Sequence, residues 1–147
     1  MKKYNFKRIF RILCLRIVTH VPMSGFLRTR FAALGGVKIN DAKHTSIGEG
    51  VIFDSMYPES ITLGKHVHIT MRCVILAHFL DTKQDGIHWK RGEVVFKDNC
   101  FIGANTVICN PVTIGANSVV GAGSVVTKDI PDNEIWGGNP AHFIKKR

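Results

Sequence analysis

Acidic side chains are missing from the first forty residues of this 147-residue chain. That stretch carries nine Lys and Arg (Lys2, Lys3, Lys7, Arg8, Arg11, Arg16, Arg28, Arg30, Lys38) and no Asp or Glu. Of the 20 bases and 11 acids in the chain, the other eleven bases and all eleven acids lie beyond residue 40, so the formal net charge of +9 belongs to the N-terminal segment. A body with no excess charge gives no support to generic nucleic-acid binding. Long apolar runs are also missing, which excludes a bilayer-spanning helix. The N-terminal stretch does not read as a signal peptide, because Arg11 and Arg16 interrupt its apolar run and no clear small-residue cleavage site follows. Cysteines number four (Cys14, Cys73, Cys100, Cys109) and are scattered. They form neither a disulfide framework nor a zinc motif, and small buried thiols in a reducing compartment are the expectation.

What is present is a period of six. Phe96, Ile102, Ile108, Ile114, Val120 and Val126 are spaced by six residues, and the same spacing returns at Ile47 and Phe53 and at Leu63, Ile69 and Ile75. The next position is often Gly (Gly103, Gly115, Gly121), and the fifth column holds small or β-branched residues (Thr106, Val112, Ser118, Ser124), with Cys73 and Cys100 on it. Such columns describe short extended segments joined by turns, three to a triangular coil, with the apolar column stacked along a nearly one-dimensional core. Gly103, Asn105, Gly115, Asn117, Gly121 and Gly123 are read as turn residues in backbone conformations that other residues resist.

Three segments follow from this reading: a basic amphipathic helical appendage over 1–35, a β-helix over 36–135 with an excursion near 78–93, and a tail over 136–147. In the appendage Phe6, Ile9, Phe10, Leu13, Ile17 and Val18 fall near helical spacing, with Lys7, Arg8, Arg11 and Arg16 mostly elsewhere on the wheel. A second helix is expected to start at Pro22 and to carry Phe26, Leu27, Phe31 and Leu34 to the stop at Gly35–Gly36. The apolar face of the appendage is expected to pack on the β-helix or a neighbouring subunit. Residues 1–30 could also make peripheral contact with an anionic membrane.

The period slips twice. Ile75 to Phe96 is 21 residues, three more than a coil, and the excess falls in the stretch from His78 to Glu93, where polar, titratable and aromatic residues concentrate without hexad order. Loops on a rigid scaffold are where chemistry concentrates. The smaller slip lies at Tyr57–Thr62, with Pro58 suited to a turn.

The segments Phe101-Ile-Gly-Ala-Asn-Thr, Thr113-Ile-Gly-Ala-Asn-Ser and Val120-Gly-Ala-Gly-Ser-Val-Val-Thr-Lys-Asp-Ile-Pro, followed by Gly137-Gly-Asn-Pro-Ala-His-Phe-Ile-Lys-Lys-Arg, carry a resemblance. This chain resembles the hexapeptide-repeat O-acetyltransferases, in their maltose/galactoside acetyltransferase-like and polysaccharide O-acetyltransferase branch, over about residues 36–147. The resemblance implies a left-handed parallel β-helix, a homotrimer with active sites between subunits, and acetyl-CoA as cosubstrate with no metal. It further implies that Ala104 and Ala122 offer backbone contacts to the coenzyme, that Thr127 and Lys128 lie at its phosphates, and that His142 and Lys145 approach its adenosine end. Two positions depart from the pattern: His142 where relatives commonly carry Arg, and Phe101 where the nearest branch often has Trp.

Moving an acetyl group from a thioester to a hydroxyl needs a general base, and imidazole suits the task near neutrality. Of seven histidines, His78 opens the excursion where the family places its catalytic histidine, and His88 in the same loop is the fallback. Asp81, Asp54 or a backbone carbonyl could fix the second ring nitrogen. Trp89 and Phe79 could form a platform for the acceptor or pack the loop onto a neighbouring subunit. No Ser or Cys stands out as a nucleophile, so direct transfer is expected. The resulting expectation is a cytoplasmic enzyme acetylating a sugar or glycan precursor, in polysaccharide biosynthesis, with placement at the inner membrane face as a further option. Alternatives are a serine or xenobiotic O-acetyltransferase, a zinc enzyme resembling the γ-class carbonic anhydrases through His66, His68, His78 and His88, and a non-catalytic scaffold.

Overall fold

The computed structural model describes residues 5–83 and 85–147; Lys2 and Lys3 of the basic segment lie outside the described residues. After two helices the chain winds through four coils of short strands. The first has β1 (Lys38–Ile39), β2 (Ser46–Ile47) and β3 (Ile52–Phe53), and the second β4 (Ile61–Leu63), β5 (His68–Ile69) and β6 (Val74–Ile75). A hairpin of β7 (His78–Leu80) and β8 (Trp89–Arg91) then projects before the third coil, β9 (Val94–Phe96), β10 (Phe101–Ile102) and β11 (Val107–Ile108). The fourth coil is β12 (Val112–Ile114), β13 (Val119–Val120) and β14 (Val125–Val126), followed by β15 (Glu134–Gly137) and β16 (His142–Lys146).

Strands stack into three faces, β1-β4-β9-β12, β2-β5-β10-β13-β15-β16 and β3-β6-β11-β14, with every coil-to-coil pairing parallel. This is a left-handed parallel β-helix with a short helical N-terminus. Register keeps the hexad columns aligned: Ile108 lies between Ile75 and Val126 on the third face. All eleven residues of the apolar column are buried, as are Thr106, Val112, Ser118 and Ser124 of the fifth column. The buried hydroxyls are satisfied locally, Thr106 Oγ1 donating to the Gly103 carbonyl at 2.7 Å and Ser124 Oγ to that of Gly121 at 2.6 Å. Burial pushes the Cys73 thiol up and that of Cys100 up to about 12, so these two are packing groups and poor nucleophiles.

The turn glycines serve two different needs. Asn105, Asn117 and Gly123 do take positive φ (58°, 58° and 71°). Gly103 and Gly115 do not; a Cβ at either would collide with the backbone of the next coil, at Ala122 and Asp132. Gly121 meets neither condition. At the edge between the first and second faces, His66, Asn99, Asn117 and Asn133 all sit at φ near 54–60°, and Asn99 Nδ2 donates to Asn117 Oδ1 and Asn117 Nδ2 to Asn133 Oδ1 along the edge.

Helix α1 (Phe6–His20) is capped by Asn5, and α2 (Gly25–Leu34) by Ser24, whose hydroxyl accepts from Leu27 N. The second helix therefore starts three residues after Pro22: Ser24 supplies the capping oxygen that Pro22 cannot. Both helices pack against the first coil, covering the open end of the core as a terminal cap. They bury Cys14, Leu15, Val18, Arg28, Thr29 and Ala32. The stripe Phe6, Ile9, Phe10 and Leu13 faces away from the body, with Phe6 85% exposed. At the other end, the expected boundary at 135/136 falls inside β15, and β16 folds back antiparallel on it, so the tail is an added strand of the second face.

Candidate active site

Both irregular connections leave the β-helix at the same edge, between the third and first faces. One follows β3 and contains a 3-10 turn at Pro58–Ser60; the other follows β6 and is the β7–β8 hairpin. Because Phe53 pairs with Ile75, the residues just beyond these strands are neighbours one coil apart. That register brings Asp54 to His78.

Asp54 is buried, 2% exposed, and its carboxylate is fully engaged. Oδ1 accepts from the N–H groups of Met56 (2.8 Å) and Tyr57 (3.2 Å), and Oδ2 from Ala77 N (2.7 Å) and His78 Nδ1 (2.5 Å). Burial pushes the carboxyl pKa up, but the hydrogen bonds from His78 and the three backbone amides outweigh it and hold Asp54 below the usual carboxylate range. An ionised carboxylate only accepts, so Nδ1 of His78 is the donor, and in the neutral imidazole Nε2 then carries the lone pair. Trp89 meets the His78 ring edge-on at 5.4 Å between centroids, and Tyr57 lies 6.4 Å away. Arg91, paired with His78 across the hairpin, stacks 5.1 Å over Tyr57, donates to Ser60 Oγ at 2.5 Å and lies 3.4 Å from Glu59. These contacts tie the hairpin to the 3-10 turn.

Several expected residues land elsewhere. The carboxylate on His78 Nδ1 is that of Asp54, whereas Asp81 caps the turn within the hairpin through Lys83 N and Oδ1. His88 is exposed on the far part of the hairpin, its carbonyl accepting from Asp81 N. Phe79 is not part of an exposed platform: strand alternation in β7 turns it into the core, 6% exposed, while Trp89 stays 61% exposed. Ala104 and Ala122 stack one coil apart at the edge between the second and third faces, and the Ala104 carbonyl accepts from Gly123 N. Thr127 and Lys128 follow β14, on the His78 edge two coils along. The Thr127 carbonyl accepts from Asn110 Nδ2, and Lys128 Nζ lies 5.1 Å over the Trp136 ring. His142 and Lys145 are exposed on β16.

The four histidines of the zinc alternative do not converge. His66 and His68 line a hollow with His44 at the edge between the first and second faces, and His78 lies at a different edge. The half-buried Asp41 and the exposed His44 and His66 do bring ligand atoms within 4.8 Å of one another, a grouping hidden in the sequence because Asp41 and His66 belong to successive coils.

The fold is thus a parallel β-helix with a carboxylate-held histidine on an irregular connection at one edge. Residues 93–128 match the family model described as bacterial transferase hexapeptide (six repeats). A putative acetyltransferase, YvoF, of Bacillus subtilis (strain 168) is 34% identical over 139 residues, covering 94% of this chain and 77% of its own length. A maltose O-acetyltransferase from Clostridium difficile 630 superposes with a TM-score of 0.72 at 24% identity, over 95% of this chain and 86% of that one. A hexapeptide-repeat acetyltransferase, VCA0836, from Vibrio cholerae O1 biovar eltor, solved with acetyl coenzyme A, gives 0.70 at 21% identity, over 95% and 86%. The chain belongs to the hexapeptide-repeat acetyltransferase family.

Proposed function

We propose that this chain transfers an acetyl group from acetyl-CoA to a hydroxyl of a sugar or glycan precursor, with His78 as general base. The observation that carries the reading is the His78–Asp54 hydrogen bond, which leaves Nε2 basic beside an exposed indole. Nε2 would take the hydroxyl proton as the oxygen attacks the thioester carbonyl. Collapse of the tetrahedral intermediate breaks the carbon–sulfur bond, and the imidazolium returns the proton to the departing thiolate. Asp54 stabilises the transient imidazolium and fixes the ring; it takes no proton itself.

The coenzyme reading rests on Ala104, Ala122, Thr127, Lys128, His142 and Lys145, matched by motif and lying on the outside of the coils. The coenzyme-bound VCA0836 structure supports it. A homotrimer would place a second subunit against these edges. It would also supply a surface for the stripe Phe6–Leu13, which an anionic membrane could cover instead. No described helix is long and apolar enough to cross a bilayer.

Calorimetric titration of coenzyme A tests the reading, with Lys128→Ala alongside and free thiol followed from acetyl-CoA against a panel of sugars and serine. Saturable binding weakened in the variant, with thiol release that requires a sugar, is expected. Absence of coenzyme binding would overturn the proposal, and release that requires serine would reassign the acceptor.

A further inference from the structure

The asparagine ladder changes character toward the start of the β-helix. Pairing of Ser46 with His68 and of His68 with Phe101 puts His44, His66 and Asn99 at one position of three successive coils. The same position continues as Asn117 and Asn133. The later coils thus carry asparagines that bond to one another, and the first two carry imidazoles. The two rings meet edge-on, 5.1 Å between centroids. Both turn a nitrogen to one carboxylate oxygen: Asp41 Oδ2 lies 2.9 Å from His44 Nδ1 and 3.5 Å from His66 Nε2.

The other oxygen of Asp41 has a separate task. Oδ1 accepts from the N–H groups of Lys43 (3.2 Å) and His44 (3.3 Å), which fixes the carboxylate and leaves Oδ2 aimed between the rings. The 3.5 Å separation from His66 exceeds that of a good N–H···O hydrogen bond, about 3.2 Å at most. It matches two ligands on one ion, since atoms about 2.0–2.1 Å from zinc at a tetrahedral angle stand about 3.3 Å apart. An exposed ion pair accounts for the His44 contact and gives no reason for a second imidazole to converge on the same oxygen. The rings open on a hollow of about 440 Å³, lined further by His68, Asn99 and Arg147, with room for water at a fourth position. Arg147 is the one cation among the described lining residues besides the histidines, and its guanidinium donates to the Asn117 carbonyl at 2.9 Å.

We infer that Asp41, His44 and His66 bind a divalent transition-metal ion of the zinc class, which clamps the first coil to the second. Two imidazoles and one carboxylate suit zinc, nickel or cobalt, whereas magnesium and calcium prefer oxygen donors throughout. His44 binds through Nδ1 and His66 through Nε2, each ring keeping its proton on the other nitrogen. The site lies at a different edge from His78 and contributes no group to acetyl transfer. A β-helix is held together by contacts between adjacent coils, so an ion shared by the first two secures the end that the helices cap.

The test uses the full chain without a histidine tag, stripped with EDTA and exchanged into buffer at about pH 7.5, where free imidazole is mostly neutral. Zn²⁺ and Mg²⁺ are titrated by calorimetry into wild type, His66→Asn and His44→Ala. Asparagine stands at this position in the later coils, so His66→Asn suits the backbone at φ 54° while removing a ligand. Wild type should take up one Zn²⁺ per chain. Either variant should bind it about a hundredfold or more weaker, since even outer-shell losses cost about 10–100-fold. Saturating Zn²⁺ should raise the thermal midpoint of wild type and leave those of the variants unmoved. Co²⁺ should give the weak visible bands of nitrogen and oxygen ligation without the intense near-ultraviolet bands of a thiolate. No uptake by wild type, or equal uptake by wild type and both variants, would overturn the inference. Thiolate bands would overturn it in favour of a cysteine site, and Mg²⁺ binding as tight as Zn²⁺ would overturn the imidazole assignment.

Discussion

The coils from Val94 to Asn133 and the edge carrying Asp54 and His78 obey opposite rules. In the first, each residue's role repeats: Ile102, Ile108, Ile114 and Val120 are interchangeable fillers of one column, each fully buried. In the second, nothing repeats. The connection after β3 and the one after β6 differ in length and conformation, yet Asp54 supplies from one what His78 needs in the other. Regular coils set the spacing, and interruptions of the coil place unlike residues at that spacing. A scaffold whose core is one-dimensional can vary its connections freely, because each coil needs only its neighbours.

The contrast can be broken from the regular side first. Ile108→Ala should cost about 2–5 kcal/mol of stability, since the side chain is fully buried between Ile75 and Val126. Urea unfolding measures it, and the rate per folded molecule should stay close to wild type.

Asp54→Asn acts from the other side. It should lower kcat/KM about tenfold to a hundredfold by loosening the imidazole, and it should also lower the unfolding midpoint at neutral pH, where the carboxylate's hydrogen bonds contribute in full. The same residue has a pH signature. Its carboxyl is held below the usual range in the folded chain, so the stability it contributes is full above its unfolded value near ~4. That contribution is lost as pH falls through the lower folded value. Unfolding midpoints across the acid range should therefore fall less steeply in Asp54→Asn than in wild type.

The smallest effect sharpens the comparison within the repeat. Asn117 sits at φ 58° in the asparagine ladder, so Asn117→Ala should cost about 1–2 kcal/mol and Asn117→Gly less. Equal losses in the two variants would show that the ladder hydrogen bonds matter more than the backbone conformation.

What repeats was legible in the sequence, because the apolar column spaced by six is accompanied by a glycine column and a column of small or β-branched residues. His78 was singled out because it opens the excursion where the family resemblance places a catalytic histidine, and the structure pairs its ring with Asp54. Its partner was not singled out: the ten-residue step from Phe53 to Leu63 hides that Asp54 and Leu76 are equivalent positions in adjacent coils, and Asp81 is nearer along the chain. Phe79 was misplaced for a related reason. The excursion reads as a loop, whereas it is a hairpin whose alternation sends Phe79 to the core and Trp89 to solvent. The helical wheel of α1 was legible as amphipathic; its second half meets the body through Cys14, Leu15 and Val18, while Phe6, Ile9, Phe10 and Leu13 stay exposed.

The most direct measurement is acceptor-dependent release of free thiol from acetyl-CoA by wild type and His78→Ala, at matched folded concentration. The expected result is a fall of about 10²–10⁴-fold in a variant that still folds and binds coenzyme A with unchanged affinity. Wild-type turnover in His78→Ala would contradict the account and move the reaction away from the edge where Asp54 and His78 meet.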